Sequence, residues 1–152
     1  MENNNLIIDK KKALLSQIAE EIQTKSNKYY RLSMRYKSID DAFEIATQFF
    51  NTLSLSSIIV LISIQSENYK TAFLVTSTIS STIGLLLSVT KRAYSVREKL
   101  DRFKTSWCNF SDLSRELRIT LVRNHLSIED FENLANSFNL RISIIEDSQL
   151  PA

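Results

Sequence analysis

Glycine and proline each occur once in the 152 residues, as Gly84 and Pro151. An all-β fold rich in tight turns needs many more of both, so their scarcity argues for helices. With a single glycine neither G-x-x-x-x-G-K nor G-x-G-x-x-G can be written, which removes the glycine-built nucleotide cradles. One cysteine (Cys108) and one histidine (His125) leave no Cys/His set for structural zinc and no disulfide within the chain. No metal and no cofactor are expected. An excess of one charge is missing too, because 19 cations against 17 acids leave a net charge of +2.

What the chain does have is an uneven distribution of charge. Positions 45 to 66 carry no Lys, Arg, Asp, Glu or His over 22 residues, and positions 71 to 90 carry none over another 20. A helix of about 20 residues rises about 30 Å, the thickness of a bilayer's hydrocarbon core. The pattern predicts an all-α membrane protein with a two-span hairpin: a cytosolic helix over 10–44, spans over 45–66 and 71–90, an external loop at 67–70, a cytosolic helix over 91–125, and a short helix with an acidic tail over 126–152. The competing arrangement is a soluble bundle with two fully buried helices, and the nine Ser and Thr residues of the second run keep it open. A chain this short, however, has little protein with which to cover both runs. The charged first 44 residues argue against a signal peptide.

Cations near a span are retained on the cytoplasmic side. Eleven Lys and Arg lie within 20 residues of the outer ends of the two runs, against Lys70 alone between them. Both termini are therefore expected in the cytoplasm, with the protein multi-pass in the cell membrane. Lys37, Lys91 and Arg92 are the candidate contacts to lipid headgroups.

Apolar residues recur at steps of three and four from Leu15 through Ile18, Ile22, Tyr29, Leu32, Tyr36, Ile39 and Phe43, with Lys25 the exception. The count continues into the first run through Ala46, Phe50, Leu53, Ser57, Val60 and Ile64. A second series runs Val96, Leu100, Phe103, Trp107, Phe110, Ser114, Leu117 and Leu121. Matching periods predict that Tyr29, Leu32 and Tyr36 pack against Phe103, Trp107 and Phe110 in a helical stalk. Counted backwards, the second series predicts that Val89, Leu86, Thr82, Ile79 and Val75 face the first span. Ser77, Ser81, Gly84 and Ser88, with Ser80 adding small-xxx-small spacings, would then lie on nearly the opposite face, suited to contact another protomer or to line a pore. The alternative is that these hydroxyls bond back to their own helix and meet lipid.

Past Asn124, Ser127 with Asp130 suggests an N-cap for a helix from Ile128 to about Phe138, while Leu140 to Ile144 alternates too briefly to define a strand. No catalytic constellation stands out, and no enzyme activity is expected. His125 near Glu129 and Asp130 reads as a surface residue. Cys108 reads as packed beside the seam, and the adjacent acids Asp40/Asp41 and Glu20/Glu21 as solvated. The basic stretch from Lys91 to Arg123 is better explained by anionic headgroups than by nucleic acid.

The basic, tyrosine-containing helix (Lys28, Tyr29, Tyr30, Arg31, Arg35, Tyr36), the tight two-span hairpin, the basic exit (Lys91, Arg92) and the long helix ending in Leu113-x-x-Glu116-Leu117 resemble the SLATT family over roughly residues 10 to 125. The resemblance implies a two-transmembrane effector of prokaryotic conflict systems that forms homo-oligomeric pores when a separate nucleotide-sensing or nucleotide-synthesising partner is triggered. The other function consistent with these residues is a membrane anchor or scaffold whose stalk recruits a partner.

Overall fold

The computed structural model describes residues 2–64, 66–122 and 128–148. It contains four helices in these residues: α1 Glu2–Ser63, α2 Glu67–Ala93, α3 Val96–Val122 and α4 Ile128–Asp147. The chain divides into two compact units, one formed by Met1–Met34 with Leu100–Ala152 and one by Arg35–Lys99.

The first unit is a three-helix core. Leu15, Ile18, Ile22 and Tyr29 of α1 meet Phe110, Leu113 and Leu117 of α3 and Ala135, Phe138 and Ile142 of α4, all buried. The predicted aromatic pairing is present. Tyr29 stacks on Phe110 with centroids 5.5 Å apart and lies 6.2 Å from Phe103, and Tyr30 lies 5.3 Å from Trp107. Leu32, Phe103 and Trp107 pack against the core while half-buried, whereas Tyr36 belongs to the second unit.

Two expectations change here. The C-terminal helix does not stop near Phe138: residues 140–144 are helical, and α4 runs to Asp147. Phe131, Leu134, Phe138, Ile142 and Ile145 recur at helical spacing, so the apparent alternation of Leu140 to Ile144 is a fragment of a longer stripe. The α3 stripe is also broader than predicted, with Leu113 and Ser106 more deeply buried than Ser114 and Trp107. A helix that touches two neighbours needs a wider apolar face than a two-helix seam provides. Cys108 is exposed rather than packed. The expected Ser127 cap and His125 lie outside the described residues.

Lys25 breaks the apolar series because it serves an ion-pair network. Its Nζ lies 2.8 Å from Glu21 Oε1 and 2.9 Å from Glu146 Oε2, which ties α1 to α4. Arg141 Nη1, 2.7 Å from Glu116 Oε2, ties α4 to α3 in the same way. Burial works to lower the Lys25 pKa from its usual 10.5, but hydrogen bonds and charges from Glu21 and Glu146 outweigh it and leave the value raised. Burial raises the Tyr29 phenol as well, helped by the Glu146 charge against the opposing charge of Lys25.

Phe110 is fully buried and Trp107 only partly so. Phe110→Ala should therefore cost about 3–5 kcal/mol and Trp107→Ala distinctly less, measured by denaturant unfolding of the helical signal. The Lys25 and Tyr29 shifts have the same sign. A group whose folded-state pKa is raised contributes fully below its unfolded value and loses that contribution as pH rises through the folded one. Stability should thus be level near neutrality and fall above the ordinary lysine and tyrosine range, and Lys25→Met should flatten the alkaline decline. An identical decline in the variant would refute the assignment.

Candidate functional site: the apolar helix pair

The second unit holds the two charge-free runs. Both α1 and α2 contain a stretch long and apolar enough to cross a membrane, and only 11% of the most apolar 18-residue window of each is buried. Ile45, Phe49, Leu55, Ile59 and Ile62 of α1 are exposed, as are Leu74, Val75, Ile79, Leu85, Leu86 and Val89 of α2. The arrangement with two fully buried helices is therefore not the one adopted.

The connection between the helices is shorter than predicted. Residues 67–70 form the first turn of α2, where Lys70 pairs with Glu67 at 3.1 Å, and only 64–66 link the helices.

The helices touch at three levels. Asp40 faces Lys91, Phe50 and Asn51 face Gly84, and Ser54 faces Ser77. The covered side of α1 follows Ile39, Phe43, Phe50, Ser57 and Ile64 as the sequence predicts. Ser54 and Leu61 are more deeply covered than the predicted Leu53 and Val60, because a straight helix drifts from a strict heptad count.

On α2 the predicted face is wrong. Val75, Ile79, Leu86 and Val89 are large and exposed, and Thr82 is exposed as well. The covered series is Phe73, Ser77, Ser80, Gly84, Leu87 and Lys91. The first five precede Val75, Ile79, Thr82, Leu86 and Val89 by two residues each, about 200° around a helix. The backward count assumed one uninterrupted helix, yet α2 ends at Ala93 and α3 begins at Val96. Between them Ser95 takes a positive φ of 48° and its N–H donates to Arg92 O at 3.0 Å. Helical phase is not carried through such a break, so the α3 series says nothing about α2.

The small-residue stripe therefore turns inward. A Cβ on Gly84 would stand 2.7 Å from Asn51 Oδ1 and 3.7 Å from Phe50 Cβ, so glycine permits the close approach here. Ser80 is 3% exposed. The Ser54 and Ser77 hydroxyls lie 3.1 Å apart, and each also reaches the other residue's carbonyl, at 3.2 Å from Ser54 and 3.4 Å from Ser77. Ser81 and Ser88 remain exposed. The premise that the whole stripe faces away from α1 is corrected for Ser77, Ser80 and Gly84.

Outward hydroxyls are satisfied locally. Thr76, Thr78, Thr82 and Ser88 donate to the carbonyls of Ala72, Leu74, Thr78 and Gly84 four residues back, at 2.8–3.0 Å.

The flanking charges differ from one another. Lys37 and Arg92 are exposed, but Lys91 is half-buried with Nζ 2.7 Å from Asp40 Oδ1. That oxygen is buried without a well-directed hydrogen bond, so the contact is one of charge. Lys91 is thus spent inside the chain, and Asp40 is not the solvated acid that its neighbour Asp41 suggests. The sequence signal was available: an acid a few residues before one run and a cation just after the other lie at the same level once the two helices pair.

Among the described residues no three His, Cys, Asp or Glu side chains gather as a metal site. Comparisons with protein-family models, with curated proteins and with solved structures find no match for this chain.

Gly84→Ala should be tolerated, since the Asn51 side chain can swing aside and alanine gains about 1 kcal/mol in helix propensity. Gly84→Leu should force the helices apart at a cost of about 1–3 kcal/mol. Thermal unfolding in detergent of the two variants would distinguish them, and equal stability would contradict the packing.

Proposed function

We propose that α1 and α2 form an antiparallel transmembrane hairpin with both ends of the chain in the cytoplasm, and that the protein is an oligomeric membrane effector which perturbs the bilayer without enzymatic chemistry. The observation that carries the reading is the outward exposure of most large apolar side chains in both runs, while the most deeply covered positions are Ser54, Ser57, Ser80 and Gly84. In water this distribution would leave a large apolar surface uncovered, whereas in lipid the same surface is matched. The back-bonded threonines support it, because hydroxyls that face hydrocarbon need an acceptor within their own helix. Cation asymmetry supports the orientation. The SLATT resemblance supports a pore-forming role in prokaryotic defence, with a separate nucleotide-sensing partner.

One observation favours the second reading, a membrane anchor whose three-helix unit recruits a partner. Ser77, Ser80 and Gly84 are used within one chain, which leaves only Ser81 and Ser88 of the stripe for contact between copies.

Topology is tested by labelling intact cells with an impermeant thiol reagent. The exposed Cys108 should be protected, and Tyr69→Cys in a Cys108→Ser background should react. Equal labelling would refute the topology. Induced expression should then depolarise the membrane, read with a potential-sensitive dye, and crosslinking should give homo-oligomers. Correct topology with neither effect would leave the anchor.

A further inference from the structure

A groove of about 320 Å³ runs along the first unit between α1 and α3. Its α3 wall is Trp107, Ser111, Ser114, Arg115 and Arg118, whose spacings of three and four set them along one helix face. Gln23, Ser26 and Asn27 of α1 face them with the same spacing.

The groove is lined mostly by polar side chains. Ser26 is only 6% exposed, and among the described residues its hydroxyl has no hydrogen-bond partner, nor do those of Ser111 and Ser114. Ser106, buried on the same helix, instead donates to Arg102 O at 3.1 Å. The Ser26, Ser111 and Ser114 hydroxyls open onto the groove and are free to bond whatever occupies it.

No acid lines the groove. Asp112, on the surface beside it, approaches Arg115 only to 3.8 Å, and Arg118 has no ion-pair partner among the described residues. Two guanidinium groups and three hydroxyls supply donors of the kind that phosphate oxygens accept. The volume exceeds that of a phosphate group alone. Alongside the donors stands the Trp107 ring, and the Gln23 Nε2 bond to Asn27 Oδ1 at 3.3 Å leaves Gln23 Oε1 and the Asn27 amide hydrogens for a polar edge.

We propose that this groove binds a soluble phosphate monoester carrying a planar ring, with the phosphate held by Arg115, Arg118 and the serine hydroxyls and the ring set against Trp107. The site lies wholly within the first unit, so the proposal stands whether or not the second unit crosses a membrane.

Trp107 is the only tryptophan, which makes its fluorescence a report on this groove alone. The purified full chain in detergent is titrated with phenyl phosphate at constant ionic strength, exciting at the red edge where the phenyl ring does not absorb. Phenyl phosphate should change the emission saturably, and inorganic phosphate should compete. Arg118→Gln should weaken binding by about tenfold, the loss of one charge-assisted hydrogen bond. Ser26→Ala should weaken it less, with helical content unchanged in both variants. Glycerol phosphate, the ring-free group of a lipid headgroup, should bind more weakly than phenyl phosphate. No saturable change, or unaltered affinity in both Arg115→Gln and Arg118→Gln, would overturn the site. Glycerol phosphate binding as tightly as phenyl phosphate would overturn the ring-bearing ligand in favour of a headgroup.

Discussion

Ser95 is the only described non-glycine residue with a positive φ. A left-handed residue of this kind costs an L-amino acid about 1–2 kcal/mol, so its neighbours must hold it in place. They do so on both sides. The Tyr94 and Ser95 N–H groups donate to Thr90 and Arg92 carbonyls, and Ser95 O accepts from Lys99 N–H inside α3. The break separates the phase of α2 from that of α3 and so lets two incompatible patterns follow one another in the sequence. In α3 the large side chains point into a core, while in α2 most of them point out of the pair and Ser77, Ser80 and Gly84 point in. An unbroken helix with the α3 phase would place Val75, Ile79 and Leu86 against α1, and Ser80 and Gly84 outside.

That inversion decides where polarity sits in the second unit. The deepest contacts are Ser54 with Ser77 and Gly84 with Asn51 and Phe50, and at the charged end Asp40 with Lys91. In an apolar surrounding, contacts of this type hold helices by close approach and hydroxyl bonds of about 0.6 kcal/mol each rather than by apolar burial. The first unit works in the opposite way. Its interior is Leu, Ile and Phe, and its ion pairs, Lys25 with Glu146 and Arg141 with Glu116, lie at the rim.

The pattern of one element could be read from the chain wherever that element ran unbroken. The charge-free runs, the α1 series up to Phe50 and the meeting of Tyr29 with Phe103 and Phe110 all follow from periodicity within single helices. The inward face of α2 does not, because the α3 period is cut off from α2 at Tyr94 and Ser95, and neither residue advertises a helix break as Gly or Pro would. The extent of α4 was hidden by a five-residue window in which two periods agree: Leu140, Ile142 and Ile144 alternate, while Phe138, Ile142 and Ile145 make the helical stripe. Lys25 looked like a defect because its partner Glu146 lies at the far end of the chain. The serine-floored groove was missed for a related reason. Ser114 registered only as a weak position in an apolar series, and its unused hydroxyl had no meaning until Ser26 stood opposite.

The first unit is discontinuous, and this has a consequence for how the chain is made. Leu15, Ile18 and Ile22 are closed by α3 and α4, whose Phe138 and Ile142 emerge from the ribosome more than 100 residues later. At about 5–20 residues per second that delay is several seconds, far longer than a helix needs to form. During it both charge-free runs have already been synthesised. The apolar face of the N-terminal helix therefore has no complete partner surface until α4 has been made, and the outer segments can close around each other only last.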